Sequence, residues 1–155
     1  MLAAVAGAWL YVRFRQRSER ARRCGNQMVA NAVIAAALPH LAKRVVDRER
    51  PDRKVVGFIR HGIPRSGKPW DSFPSGHAVH VGALASALDR FLPAHWRLVL
   101  WPSAGALAAT RIVLLAHYVT DVAAGLFVGA MIDRIVVARL ARATPQQIAA
   151  ARRWR

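Results

Sequence analysis

The stretch VAAGLFVGAMI, residues 122–132, has the composition that decides the fold of this chain. Alanine, leucine, valine and glycine fill it without the alternation of apolar and polar residues that marks a half-buried strand, so it predicts a helix. Its glycines, Gly125 and Gly129, have the spacing at which two membrane helices pack closely. Four other stretches share this character: Leu2–Val12, Met28–Ala42, Ala78–Leu88 and Leu98–Leu115. The sequence therefore predicts an all-α fold, built as a helical bundle.

Length, charge and cysteine content narrow the class of protein. The 155 residues suit one domain, and a hydrophobic content of 54% argues against disorder despite a net charge of +16. The single cysteine, Cys24, excludes an intramolecular disulfide, and no Cys/His spacing typical of zinc sites is present. We expect no metal and no cofactor. The charge indicates a polyanionic partner, which is a phosphorylated substrate, an anionic lipid or a nucleic acid.

The basic residues lie between the apolar stretches, as expected of a membrane protein. With flanking residues snorkelling to the interface, the apolar stretches predict an integral membrane bundle of about five spans, the first of them short. A soluble all-α bundle is the alternative. The positive-inside rule assigns Arg13–Arg23 and the C-terminal tail to the cytoplasmic face. The segment Lys43–Asp71, with nine Lys and Arg, then lies on the opposite face.

The end of the chain differs in composition from the rest. We expect residues 1–142 to form the membrane domain and residues 143–155 to form a basic tail. Thr144 and Pro145 have the residue types of an N-cap and a first helical position. They predict a short basic helix that lies on the membrane surface.

Three polar clusters flank the apolar stretches on one predicted side of the membrane. They are Lys43 with Arg50 and Pro51; Pro74, Ser75, Gly76 and His77; and Thr110, Arg111, His117 and Asp121. Guanidinium groups bind phosphate oxygens in a bidentate way, and a helix N-terminus at Ser75 and Gly76 offers backbone N–H groups to an anion. A charge such as Arg111 inside an apolar stretch is costly and indicates function.

The histidines supply the reactive groups. His117 and Asp121 are four residues apart, so on a helix the carboxylate can hold one ring nitrogen and leave the other free to attack. His77 can protonate a leaving oxygen as a general acid. Together with the cations, these residues predict a site for phosphoryl transfer without a metal.

The spacing Lys43-x6-Arg50-Pro51, then Pro74-Ser75-Gly76-His77, then Arg111-x5-His117-x3-Asp121 resembles the three-part signature of the type 2 phosphatidic acid phosphatase superfamily. That family includes membrane lipid phosphate phosphatases, undecaprenyl-diphosphate phosphatases and, distantly, vanadium haloperoxidases. Thr110 stands where the family usually has serine and keeps the hydroxyl.

The resemblance implies a role for each matching residue. His117 would be the nucleophile and form a phosphohistidine, Asp121 would orient it, and His77 would protonate the leaving group. The phosphate would be bound by Lys43, Arg50, Ser75, Gly76 and Arg111.

The expected function is therefore metal-independent hydrolysis of a membrane lipid phosphate or diphosphate. The expected location is a bacterial inner membrane, with the active site on its outer face. The alternatives are a non-catalytic membrane scaffold and a protein that binds anionic lipid or nucleic acid. Nucleic acid is disfavoured, because the five tryptophans are not interleaved with basic residues as in a base-stacking surface.

Overall fold

The computed structural model describes residue 7, residue 10 and residues 19–51, 68–90 and 92–152. In these residues it contains four α-helices, which are α1 (Glu19–Ala42), α2 (Gly76–Asp89), α3 (Arg97–Val113) and α4 (Val119–Arg152). A 3-10 turn, Ala94–Trp96, precedes α3. The all-α prediction is confirmed in this part of the chain. The first predicted apolar stretch lies outside the described residues, apart from residues 7 and 10.

Two helix boundaries differ from those predicted. Helix α1 begins at Glu19, inside the basic segment that was expected to separate two helices. Helix α4 continues to Arg152 without a break, so the predicted helix start at Thr144 is wrong. The arginines and alanines of both regions are strong helix formers, and they extend the helices beyond the apolar stretches. The division between residues 142 and 143 stays a prediction.

Helix α2 lies at the centre of the bundle. Small residues make up most of its buried side chains, so its neighbours approach closely. One apolar cluster joins α2 to α1 and α4 through Ala35, Val79, Ala83, Ile132 and Val136. A second joins it to α3 and α4 through Ala78, Ala108 and Val122. Contacts with all three neighbours fix the N-terminal end of α2, where the second polar motif lies.

Three glycines bring the backbones of α2 and α4 together. A Cβ atom on Gly82 would lie 2.9 Å from the backbone carbonyl carbon of Leu126, and one on Gly125 would lie 2.7 Å from the carbonyl oxygen of Ser75. A Cβ atom on Gly129 would lie 2.7 Å from the backbone nitrogen of Ala83. The close packing predicted from Gly125 and Gly129 is confirmed. It holds the start of α4 against Ser75.

Large apolar side chains face outward from the bundle. Leu98, Leu107, Val113 and Phe127 are all exposed. Among the described residues, no helix combines the length and the apolar character needed to cross a bilayer. The predicted number of membrane spans stays a prediction.

A buried polar cluster ties three helices together away from the predicted motifs. Asp133 of α4 is fully buried and accepts hydrogen bonds from Asn31 Nδ2 at 2.6 Å and Ser86 Oγ at 2.9 Å. Gln27 Nε2 donates to the same carboxylate at 3.0 Å, and Arg90 forms an ion pair with it. Four donors, two on α1, one on α2 and one at the C-cap of α2, thus compensate one buried charge on α4.

We expect Asp133→Asn to lower the free energy of unfolding by about 2 kcal/mol, because the buried amide NH2 group of asparagine would face donors where the carboxylate offered an acceptor oxygen. Chemical denaturation in detergent measures this change. The control is Asp89→Asn, which removes a carboxylate paired with the exposed Arg97 at 3.0 Å and should cost less than about 1 kcal/mol. Equal losses in the two variants would contradict the importance of the Asp133 cluster.

Candidate active site

The second motif forms the N-terminus of α2, as predicted. Ser75 is the N-cap, and its hydroxyl accepts a hydrogen bond from the backbone N–H of Ala78. The backbone N–H of Ser75 donates to the carbonyl oxygen of Asp121 at 3.1 Å. A Cβ atom on Gly76 would meet only Pro39, at 3.8 Å, which is an ordinary contact. Protein packing therefore does not demand glycine at position 76.

The turn between α3 and α4 brings His117 into the protein. Leu115 adopts a left-handed backbone conformation with φ of 51°, which reverses the chain after α3. The backbone N–H groups of Ala116 and His117 both donate to the carbonyl oxygen of Arg111, at 3.1 and 3.2 Å. The turn leaves His117 only 4% exposed.

The ring of His117 is held through one nitrogen. Its Nδ1 lies 2.6 Å from the backbone carbonyl oxygen of Ser72. A carbonyl oxygen only accepts, so Nδ1 carries the proton and Nε2 carries the lone pair. Within the part of the chain that the structure describes, Nε2 has no hydrogen-bond partner. The ring nitrogen with an available lone pair is therefore Nε2.

The surroundings of His117 keep its ring neutral. Its pKa is lowered from 6.5 to about 4, mainly by burial and further by the positive charges of Arg50 and Arg111. The Ser72 carbonyl and the Asp121 carboxylate raise the pKa but do not offset these effects. At neutral pH the imidazole is therefore unprotonated and available for attack.

This lowered pKa predicts a pH dependence of stability. Below pH 6.5 the unfolded chain binds a proton at His117 that the folded chain excludes down to about pH 4. The contribution of neutral His117 to the free energy of unfolding is thus fully present above pH 6.5. As the pH falls towards 4, the free energy of unfolding decreases by at most about 1.4 kcal/mol per pH unit. The free energy of unfolding, measured with denaturant at each pH across this range, should fall less steeply with decreasing pH in His117→Asn than in the wild type. The same pH dependence of the free energy of unfolding in both proteins would contradict a lowered pKa of His117.

Asp121 does not bond directly to the His117 ring, which corrects the prediction from their spacing. Its Oδ2 lies 3.9 Å from Nδ1, beyond hydrogen-bond distance. The carboxylate is fully buried, and Oδ2 accepts from Ser72 Oγ at 2.5 Å and from the backbone N–H of Tyr118 at 2.9 Å. Its Oδ1 accepts from Arg48 Nη1 at 2.6 Å. His117 precedes α4 and does not share a helical face with Asp121.

The first motif meets the other two through Asp71. Arg50 is buried, and its Nε and Nη2 donate to Asp71 Oδ1 at 3.0 and 2.9 Å. Its Nη1 donates to the carbonyl oxygen of Ala116 at 3.0 Å, directly before His117. Lys43 Nζ lies 3.4 Å from Asp71 Oδ2. One carboxylate thus holds both cations of the first motif.

Arg111 is a partly buried cation with an unused donor. Its Nε is buried and, among the described residues, has no hydrogen-bond partner. Besides burial, which has the larger effect, its positive charge lowers the pKa of both His117 and His77. His77 is exposed on the first turn of α2. A buried N–H without a partner is costly, and an anion bound here would satisfy it.

The sequence reasoning missed three residues of this site, which are Arg48, Asp71 and Ser72. Arg48 reaches Asp121 and Thr120, and its guanidinium stacks over the Tyr118 ring at 4.3 Å. Asp71 and Ser72 directly precede the Phe73-Pro74-Ser75 segment, and adjacency to that motif was their only signal. A parallel bridge between Arg48 and Asp71 brings the two segments side by side.

Together, the fold and these residues define a helical protein whose cations surround a neutral, buried histidine beside a helix N-terminus. A family model described as the PAP2 superfamily matches residues 25–145. The chain belongs to this superfamily, so the resemblance found in its three motifs is confirmed.

Similar proteins include phosphatases of bacterial lipids. A lipid A 1-phosphatase of Rhizobium johnstonii is 37% identical over 123 residues, which cover 74% of this chain and 48% of the relative. A decaprenylphosphoryl-5-phosphoribose phosphatase of Mycobacterium tuberculosis is 36% identical over 107 residues, which cover 69% and 56%. The chain thus spans about half the length of the curated relatives it matches. The crystal structure of Aquifex aeolicus LpxE has the same fold, with a TM-score of 0.65, 20% identity, and coverage of 88% of this chain and 77% of that one.

Proposed function

We propose that this protein is a phosphatase that hydrolyses a membrane lipid phosphate or diphosphate without a metal, through a phosphohistidine on His117. The observation that carries the proposal is the state of His117. Its ring is buried and neutral, it is held at Nδ1 by Ser72, and Nε2 has no partner among the described residues. A histidine in this state is a nucleophile rather than an acid.

The reaction has two steps. In the first, the Nε2 lone pair of His117 attacks phosphorus, the bond from phosphorus to the leaving oxygen breaks, and the protonated form of His77 donates its proton to that oxygen. Burial and the charge of Arg111 lower the pKa of His77, so this step is favoured by mildly acidic pH. In the second, water attacks the phosphohistidine, His77 takes the proton of the water, and neutral His117 leaves with release of inorganic phosphate. Each residue returns to its starting state.

The cations are proposed to bind the phosphate oxygens. Among the described residues, Arg111 has an unpaired Nε, and the hydroxyl of Ser75 and the backbone N–H of Gly76 stand at the start of a helix whose dipole favours an anion. Arg50 has five N–H hydrogens, and its contacts with Asp71, Lys68 and Ala116 leave one on Nη1. Lys43 keeps two of its three ammonium hydrogens beside its contact with Asp71.

A lipid substrate fits the outer surface of the bundle. The exposed apolar side chains of α3 and α4, including Leu98 and Phe127, suit contact with acyl or prenyl chains. The positive-inside rule supports a location in a bacterial inner membrane with the active site on the outer face. The names of the relatives favour lipid A 1-phosphate and polyprenyl phosphates as candidates.

The test is release of inorganic phosphate by purified protein in detergent with a chelator present. The panel contains phosphatidic acid, a lipid A 1-phosphate and a polyprenyl diphosphate. We expect release from at least one of them, and loss of release in Arg111→Gln but not in Arg97→Gln, which removes an exposed arginine at the start of the same helix. No release from any lipid would overturn the proposed function. Activity that disappears with the chelator and returns with a metal ion would overturn the metal-independent mechanism.

A further inference from the structure

The contacts of Asp121 leave no direct role for it at the His117 ring. Its two oxygens accept from Ser72 Oγ, the backbone N–H of Tyr118 and Arg48. The 3.9 Å between Oδ2 and Nδ1 of His117 is too long for a hydrogen bond. Any hydrogen-bonded link from the carboxylate to the histidine ring therefore passes through an intermediary.

Ser72 connects the two residues. It is fully buried, its carbonyl oxygen lies 2.6 Å from His117 Nδ1, and its hydroxyl donates to Asp121 Oδ2 at 2.5 Å. A single residue thus bonds to the histidine through its backbone and to the carboxylate through its side chain.

The rest of the segment is anchored independently of this hydroxyl. The backbone N–H of Ser72 donates to the carbonyl oxygen of Arg48 at 3.0 Å, and the neighbouring Asp71 pairs with Arg50. Loss of the hydroxyl would therefore leave the segment in the site but free its carbonyl to shift.

We propose that Ser72 is a positioning residue that couples Asp121 to His117, so that the carboxylate fixes the ring orientation through the hydroxyl and backbone of Ser72. Arg48 donates to the other oxygen of Asp121 and so keeps the carboxylate in position to accept from the Ser72 hydroxyl. The proposal rests on the proposed phosphatase function, in which His117 must present Nε2 to phosphorus. Displacement of a reacting group by about 1 Å lowers rates by about 100-fold.

The first test compares Ser72→Ala with a matched control. Ser86 is also buried and also donates its hydroxyl to a fully buried carboxylate of α4, that of Asp133, at 2.9 Å. We expect Ser72→Ala to lower kcat by about 10- to 100-fold with KM changed less than about twofold, whereas Ser86→Ala keeps kcat. Similar kcat values in Ser72→Ala and the wild type, or a matching loss in both variants, would overturn the proposal.

A double-mutant cycle tests the link itself. If Asp121 acts through Ser72, Asp121→Asn combined with Ser72→Ala should lower kcat no further than the more harmful single substitution. If the double variant lowers kcat by the product of the two single decreases, the two residues act separately, which overturns the coupling.

A measurement that needs no activity separates this proposal from the proposed function. The ¹⁵N chemical shifts of the His117 ring in labelled protein report which nitrogen carries the proton. We expect one form protonated at Nδ1 in the wild type and in Ser86→Ala, and a mixture of both forms in Ser72→Ala. An inactive wild type with these spectra would overturn the phosphatase function and leave the positioning role supported. An unchanged single form in Ser72→Ala would overturn the positioning role whatever the activity.

Discussion

His117→Gln is expected to lower phosphate release by at least about 1,000-fold while the helical bundle stays folded. Glutamine keeps a polar group near the Ser72 carbonyl but has no nitrogen lone pair that can attack phosphorus. Rapid quenching of the wild type with a ³²P-labelled lipid should trap label on the protein that acid removes and alkali does not, as expected of a phosphohistidine. The variant should carry no such label.

The control for this variant is His95→Gln. His95 is exposed in the turn before α3, where its ring is tilted by 42° against that of Trp96, so its loss should leave activity unchanged. A His117→Gln protein that keeps a tenth of the activity, or that still carries the acid-labile label, would contradict the nucleophile assignment.

Gly129→Ala is expected to lower the free energy of unfolding by about 3 kcal/mol or more, which corresponds to a drop in Tm of about 6–12 °C. The new Cβ atom would lie 2.7 Å from the backbone nitrogen of Ala83 and closer still to the carbonyl oxygen of Val79. Both atoms belong to the backbone of α2, so only separation of the two helices relieves the clash. Thermal unfolding in detergent measures the loss.

Gly105→Ala is the matched control, because a Cβ atom there would meet nothing within 4 Å. Gly105 lies within α3, where alanine is favoured over glycine by about 1 kcal/mol, so this variant should be as stable as the wild type or more so. Equal Tm values in the two variants would show that the bundle can separate α2 from α4 at little cost.

Loss of Gly129 should also reduce activity, because the same interface positions the catalytic groups. Gly125 lies one turn earlier on α4 and contacts the backbone of Ser75, the N-cap of α2. The backbone N–H of Ser75 donates to the backbone carbonyl oxygen of Asp121, at the start of α4, at 3.1 Å. This hydrogen bond breaks if α4 moves away from α2. Packing and site geometry are therefore coupled through one helix pair.

Much of the fold followed from local sequence patterns. Apolar composition without alternation predicted the three helices that hold the second and third motifs, and the Gly125 and Gly129 spacing predicted their closest contact. The boundaries of α1 and α4 were missed, because helix-forming arginines and alanines continue a helix past its apolar stretch.

The sequence proposed residues for the candidate site but not the contacts between them. The pairing of His117 with Asp121 assumed helical geometry, and the left-handed turn at Leu115 removes that assumption by setting His117 before α4. Lys43 and Arg50 were predicted only as phosphate-binding cations, and the structure adds that both contact Asp71. These contacts join residues far apart in sequence, so no local pattern encodes them.

The sequence by itself thus determined the motifs and the helices that hold them, because residue type and spacing are local properties of the chain. It identified the helices, the cations, the two motif histidines and the superfamily. Only the tertiary structure decided that His117 is neutral, which ring nitrogen is free, and that Ser72 stands between His117 and Asp121. Burial, the charge of Arg50 and a backbone carbonyl set these properties, and all three come from segments that folding brings together.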